Sequence, residues 1–155
     1  MAERVSREAF EAVRDASVGQ LLMKAGRLVN ERALSRLPET PSGMRLRPSH
    51  TALFPHLDFE GTRMSTLAER LGVTKQAVSQ LVGDLEAMGL LRRVPDPSDG
   101  RARLVVFAED GLEALMHGLR VLATVDTELE ETLGERRYAA LRRALDDVIA
   151  ALEDD

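Results

Sequence analysis

Cysteine is absent from the 155 residues. That excludes a disulfide framework, a thiolate nucleophile and any thiol-based redox switch. No stretch approaches the ~20 apolar residues that a spanning helix requires, so a helical membrane span is excluded. The opening MAERVSREAFEAV is amphipathic and carries acids, which fits neither a signal peptide nor a transit peptide; the expected location is the cytoplasm. Lysine is scarce: Lys24 and Lys75 stand alone among otherwise Arg cations, a composition bias without functional weight. Glycine-rich phosphate loops, Ser/His/Asp arrangements and paired carboxylates are missing too. No catalytic residue, no cofactor and no enzymatic activity are therefore expected.

Histidine is the remaining candidate for metal or acid–base chemistry. His50 and His56 are six residues apart, about 240° around a helix, with Pro55 between them. No cysteine or clustered carboxylate completes a ligand set. His50, His56 and His117 are expected to be hydrogen-bonded or solvent-facing, and no metal site is expected.

What is present fits one compact chain with helical extensions, long enough to bury roughly two-thirds of its extended surface. Net charge is −5, but its distribution matters more than its sum. Residues 45–107 carry nine Lys/Arg against seven Asp/Glu, and the rest twelve against nineteen. A neutral-to-basic middle thus sits between acidic flanks, including a solvated acidic tail at Glu153, Asp154 and Asp155.

Apolar residues recur at three- and four-residue spacing from Ser6 to Leu37, with Leu21, Ala25 and Leu28 on one face, which predicts a helix. Pro38 and Pro41 break it. A short helix is expected around Pro48 to Leu57, Pro48 suiting its first position and Pro55 stopping it early. Asp58 to Thr62 reads as a turn. Two helices follow, Ser65–Leu71 and Thr74–Met88, the second closed by Gly89. Leu91–Val94 and Arg103–Phe107 flank a run of turn formers, Pro95 to Gly100, and predict a hairpin. Leu112, Leu115, Leu119, Leu122, Leu129 and Leu133 form a long stripe ended by Gly134, and Tyr138, Leu141, Leu145, Val148 and Leu152 form another, close to a heptad seam. Gly19, Gly26 and Gly118 interrupt helical stretches and are expected at close helix crossings.

The informative segment is Met64 to Gly83, MSTLAERLGVTKQAVSQLVG. Two helices meeting at a sharp angle need a small residue at their contact, and Ala68 supplies it. Gly72 permits a positive φ in the turn. Leu67, Leu71, Val73, Val78 and Leu81 are expected inward. Thr74 is placed to cap the second helix, and Thr66 with Glu69 matches a capping box on the first. This is a helix-turn-helix. Lys75, Gln76, Ser79 and Gln80 then point outward from the N-terminal half of the second helix, the part such a helix inserts into the major groove. Gln can pair with adenine and Lys with guanine or phosphate.

The hairpin reads as a wing with an exposed tip at Asp99, Gly100 and Arg101. Arg101 could reach the adjacent minor groove, with Asp96 or Asp99 holding its guanidinium. Arg103 is a further candidate contact. Arg92 and Arg93 serve equally well as solvated strand residues.

With the hairpin attached, the segment from Leu67 to Gly111 resembles the multiple antibiotic resistance regulator (MarR) family. The residues that carry the likeness are the helix-turn-helix, D-L-E-A-M-G-L at Asp84–Leu90, and D-P-S-D-G-R at Asp96–Arg101. The resemblance implies a homodimer whose terminal helices interdigitate, a pseudo-palindromic DNA operator, and release by a small aromatic anion. Departures from the family pattern include Gln80 where Arg is frequent, Gly83 inside the second helix, Arg47 before Pro48, Thr51 where a large aromatic is common, and Pro55. The effector pocket is expected between the first two helices, lined by Met23, His50 and Phe54.

The expected fold is all-α with a small β wing. Residues 1–155 form one chain, with a winged helix-turn-helix at 45–108 and helical dimerisation regions at 5–37 and 109–153. The expected function is that of a homodimeric transcriptional regulator, a repressor, that binds double-stranded DNA through Thr74, Lys75, Gln76, Ser79, Gln80, Arg101 and Arg103. A winged-helix module for protein interaction without DNA is the alternative, favoured by the net acidity and the single lysine on the recognition face.

Overall fold

The computed structural model describes residues 6–40 and 42–153. The start of the predicted N-terminal region at Val5, and Asp154 and Asp155 of the acidic tail, lie outside the described residues.

The predicted single helix from Ser6 to Leu37 is two helices, α1 (Arg7–Ala16) and α2 (Val18–Leu34). Ser17 divides them: its backbone is extended, and its hydroxyl accepts from the Gln20 amide at 3.3 Å, so it starts the second helix where the first ends. Periodicity missed this break because apolar spacing continues across it. The short α3 (Pro48–Thr51) ends as Pro55 dictates, giving way to a 3-10 turn at Phe54–His56. The helix-turn-helix is α4 (Met64–Leu71) and α5 (Lys75–Ala87). Two long helices, α6 (Glu109–Leu133) and α7 (Glu135–Glu153), close the chain and are separated at Gly134 with φ of 80°. No helix among the described residues is long and apolar enough to cross a membrane.

The sheet has three antiparallel strands in the order β1-β3-β2, made of β1 (Thr62–Arg63), β2 (Leu91–Asp96) and β3 (Asp99–Phe107). The expected turn is present, with the Gly61 amide donating to the Asp58 carbonyl at 3.0 Å, and β1 follows from its last residue; two residues are too few to show an alternating pattern. It pairs Thr62 with Val105 and Arg63 with Leu104. Gly61 makes the approach possible: its φ is 103°, and a Cβ there would stand 2.5 Å from Val106 Cγ1.

The core joins the helix-turn-helix to the sheet. Leu53, Leu67, Val78, Val82, Leu85 and Val105 are fully buried in it. Val73, expected inward, is 44% exposed, since the left-handed turn at Gly72 carries it away from the core. Gly26 and Gly118 meet nothing within 4 Å in this chain, and Gly19 meets only Ser17, so they are not close crossings within it. The tight crossing is at Gly111, where a Cβ would sit 1.9 Å from the Leu90 carbonyl oxygen.

Candidate nucleic-acid interface and adjoining cavity

The turn between α4 and α5 is built as its residue types require. Gly72 has φ 64° and ψ 30°, and the Val73 amide donates back to the Ala68 carbonyl at 3.1 Å, closing α4. Thr74 Oγ1 accepts from the Ala77 amide at 3.2 Å and caps α5. The predicted capping box at Thr66 and Glu69 is absent: α4 begins at Met64, so Thr66 is already inside the helix, and no side chain caps its start. Val78, Val82 and Leu85 point into the core. Lys75, Gln76, Ser79 and Gln80 are all exposed on the opposite side, as is Thr74. The predicted recognition residues therefore share one open face at the positive end of the α5 dipole.

The wing differs from its predicted form. Pro95 and Asp96 belong to β2, and the turn is Pro97–Ser98. Asp99, Gly100 and Arg101 therefore lie on β3 beyond the tip. Pro95 pairs with Arg103 and Asp96 with Asp99, which leaves Gly100, Arg101 and Ala102 as a bulge in β3. A bulge bends its strand and re-aims side chains; Arg101 sits at its centre, exposed, with Arg103 exposed at its end.

Neither Asp96 nor Asp99 holds the Arg101 guanidinium. Asp99 Oδ1 accepts only the Arg101 backbone amide, at 3.1 Å. Asp96 is buried; its Oδ1 accepts from the Ser98 hydroxyl at 2.7 Å and the Ser98 amide at 2.8 Å, and its Oδ2 from Arg63 Nε at 2.6 Å. The Ser98 hydrogen bonds, helped by Arg63, lower the Asp96 pKa to about 2. Sequence reasoning missed Arg63 altogether. The Asx-turn spacing of Asp96 and Ser98 was readable; the partner 33 residues upstream carried no local signal.

Two further braces tie the recognition helix in place. Arg93 Nη2 donates to the Ser79 carbonyl at 2.9 Å and its Nε lies 3.5 Å from Glu86, so this strand residue is a strut to α5 rather than a solvated side chain. On the other flank, Asp84 of α5 accepts from Arg47 and stands 3.3 Å from His50 Nε2. The Arg47 amide donates to His50 Nδ1 at 3.2 Å, and Arg47 Nη2 lies 3.0 Å from His50 Nε2, so Arg47, His50 and Asp84 form one polar cluster.

Behind α3, a cavity of about 650 Å³ lies between α2, α3 and α6. Leu34, Leu46, Phe54, Leu115, Leu119 and Leu122 supply much of its apolar wall, and Asn30 and Thr51 its polar side chains. Of the three predicted lining residues only Phe54 borders it. His50 is fully buried and turned to α5, while Met23 is 64% exposed on α2. One turn of α3 separates the two faces, putting Pro48 and Thr51 on the cavity and His50 on the far side. No group of three or more His, Cys, Asp or Glu that could hold a metal occurs among the described residues.

Comparison with known proteins agrees with this architecture. A family model described as "MarR family" matches residues 47–102. No curated protein matches the chain. Among solved structures, a MarR-family transcriptional regulator from Rhodococcus sp. RHA1 is 22% identical, with 84% of this chain and 91% of that one covered and a TM-score of 0.66. The transcriptional repressor CouR, bound to a 23-mer DNA duplex, is 24% identical over 96% of this chain and 99% of that one, TM-score 0.65. CouR from Rhodococcus jostii RHA1 bound to p-coumaroyl-CoA is 25% identical over 87% and 93%, TM-score 0.63. Residues 47–102, which hold the winged helix-turn-helix, match the MarR family model, and the described chain is similar in fold to a solved MarR-family regulator and to CouR.

Proposed function

We propose that this chain is a transcriptional regulator, a repressor, that binds double-stranded DNA as a homodimer and leaves it when a small molecule enters the cavity. The observation that carries the reading is the capped α5, whose open N-terminal face presents Lys75, Gln76, Ser79 and Gln80 beside a wing with Arg101 at its bulge. Gln76 and Gln80 read base edges in the major groove, Lys75 meets guanine or phosphate, Ser79 and the cap at Thr74 meet the backbone, and Arg101 enters the minor groove with Arg103 on a phosphate. CouR bound to a DNA duplex supports this use of the fold.

Support for the dimer comes from apolar side chains that a single chain leaves bare. Phe10, Val13, Leu21 and Met23 are exposed on α1 and α2, and Leu141, Val148, Ile149 and Leu152 on α7. Monomeric proteins rarely leave such stripes open to water. Pairing them by a two-fold axis sets two α5 helices about one DNA turn, ~34 Å, apart.

Selection of bound fragments from random duplex DNA, with sedimentation of the free protein, tests the reading. A symmetric site and a dimer are expected. A monomer at micromolar concentration that ignores every duplex at low salt overturns it. Ile149→Glu, placed in the exposed α7 stripe, should shift the protein towards monomer and weaken DNA binding together.

A further inference from the structure

The resemblance implies an anionic effector, but the cavity's walls are chemically unsuited to one. Its volume of about 650 Å³ lies in the usual range for small-molecule sites. Among the described residues seventeen line it; of these only Asn30 and Thr51 have polar side chains, and none is Lys, Arg, His, Asp or Glu.

Several cations beside lining residues in sequence are paired elsewhere, while His117 and Arg120, beside Gly118 and Leu119, are exposed on α6. Arg32 and Arg36 both engage Glu128 on α6, and Arg47 engages Asp84 on α5. His50, one residue before Thr51, faces Asp84. A charged group seated against these walls would meet no opposite charge from the described lining residues, which disfavours the charged form.

The polar corner is suited to a neutral group. Asn30 Nδ2 donates to Thr51 Oγ1 at 2.9 Å, and the Thr51 hydroxyl has the Pro48 carbonyl at 3.0 Å. Thr51 Oγ1 also lies 3.1 Å from Asn30 Oδ1; Asn30 keeps a second N–H and a further carbonyl lone pair, so this one spot has both a donor and an acceptor beside apolar walls.

We infer that the cavity takes a neutral, largely apolar molecule of about two rings, held by one uncharged polar group at Asn30 and Thr51, and that it rejects carboxylates and sulfonates of the same shape. This refines the effector part of the proposed function; ligand binding itself is measurable whether or not the chain binds DNA.

A matched pair of fluorescent probes tests it on the full chain without DNA. N-phenyl-1-naphthylamine is neutral, and 1-anilinonaphthalene-8-sulfonate is the same skeleton with a negative charge. The neutral probe should saturate at one site per chain, with the sulfonate at least tenfold weaker. Ala114→Trp, which fills the cavity, should abolish neutral-probe binding with the circular dichroism spectrum unchanged. Thr51→Val keeps the volume and should weaken the neutral probe several-fold, which serves if the Trp variant does not fold.

Equal or tighter sulfonate binding overturns the inference. So does neutral-probe binding that survives both substitutions, since the probe then sits on another apolar face. No saturable binding of the neutral probe overturns it as well, and means that a second copy of the chain covers the cavity. Loss of DNA binding alone, with the probe pattern intact, would sink the regulator reading and leave this one standing.

Discussion

His50, fully buried on α3, is held by Asp84 of the recognition helix α5, with 3.3 Å between His50 Nε2 and Asp84 Oδ2. A buried polar group deprived of its partner loses hydration without compensation, at a cost of ~1–3 kcal/mol. Asp84→Ala should destabilise the protein by about that amount, and His50→Ala by a similar amount plus the space left behind. The double substitution should cost clearly less than the sum, because the two side chains share one interaction. Urea unfolding of the four proteins measures this. Strict additivity would remove the coupling.

Base reading and phosphate contact separate by their salt and sequence dependence. Gln76→Ala should cost ~1–3 kcal/mol at one base position and little elsewhere if its amide pairs bidentately. Lys75→Ala, where the lysine meets a phosphate, should weaken binding evenly across sequences and lower the salt slope by about one. Titrations against a set of single-base operator variants at several salt concentrations resolve the two. A uniform loss for Gln76→Ala would take it off the base edges.

Wing stability should depend on acid in one direction. The Asp96 pKa is depressed to about 2 in the folded protein, below its ordinary value of 3.8, so its stabilising contribution is complete above that ordinary value. It should be lost as pH falls through the interval down to about 2. Asp96→Asn should flatten this part of the profile relative to the unchanged chain, as read by hydrogen exchange at β2 and β3. An identical acid profile in both proteins would show that Asp96 does not govern it. Arg63→Ala should loosen the same strands at neutral pH.

Two glycines in helices should respond in opposite directions. Gly111→Ala forces a methyl onto the Leu90 carbonyl and should cost ~1–3 kcal/mol as overpacking. Gly26→Ala meets nothing within 4 Å and should gain ~0.5–1 kcal/mol from helix propensity. Thermal melts compare them. A drop for Gly26→Ala would mean that a second chain occupies the space beside it.

Local chemistry explains what was legible in the sequence. Gly72, Thr74 and the apolar spacing of Val78, Val82 and Leu85 each act within a few residues, and they placed the helix-turn-helix and its open face. Pro48 and Pro55 likewise bounded α3. The misses were of longer range. Arg63 meets Asp96 across 33 residues, and Asp84 meets His50 across 34. Nothing near Met23 or His50 says which way its side chain turns, so the sequence did not show that of Met23, His50 and Phe54 only Phe54 borders this cavity. Ser17 was missed for another reason: a capping serine does not disturb apolar spacing.

Arg63 ends β1 immediately before α4 and clasps the carboxylate beside the wing turn, while Arg93 of β2 clasps α5. Hairpin and helix pair are thereby clamped at both ends into a two-pronged tool of fixed gauge. For the duplex of the proposed function, the work of matching that gap would then fall on the DNA.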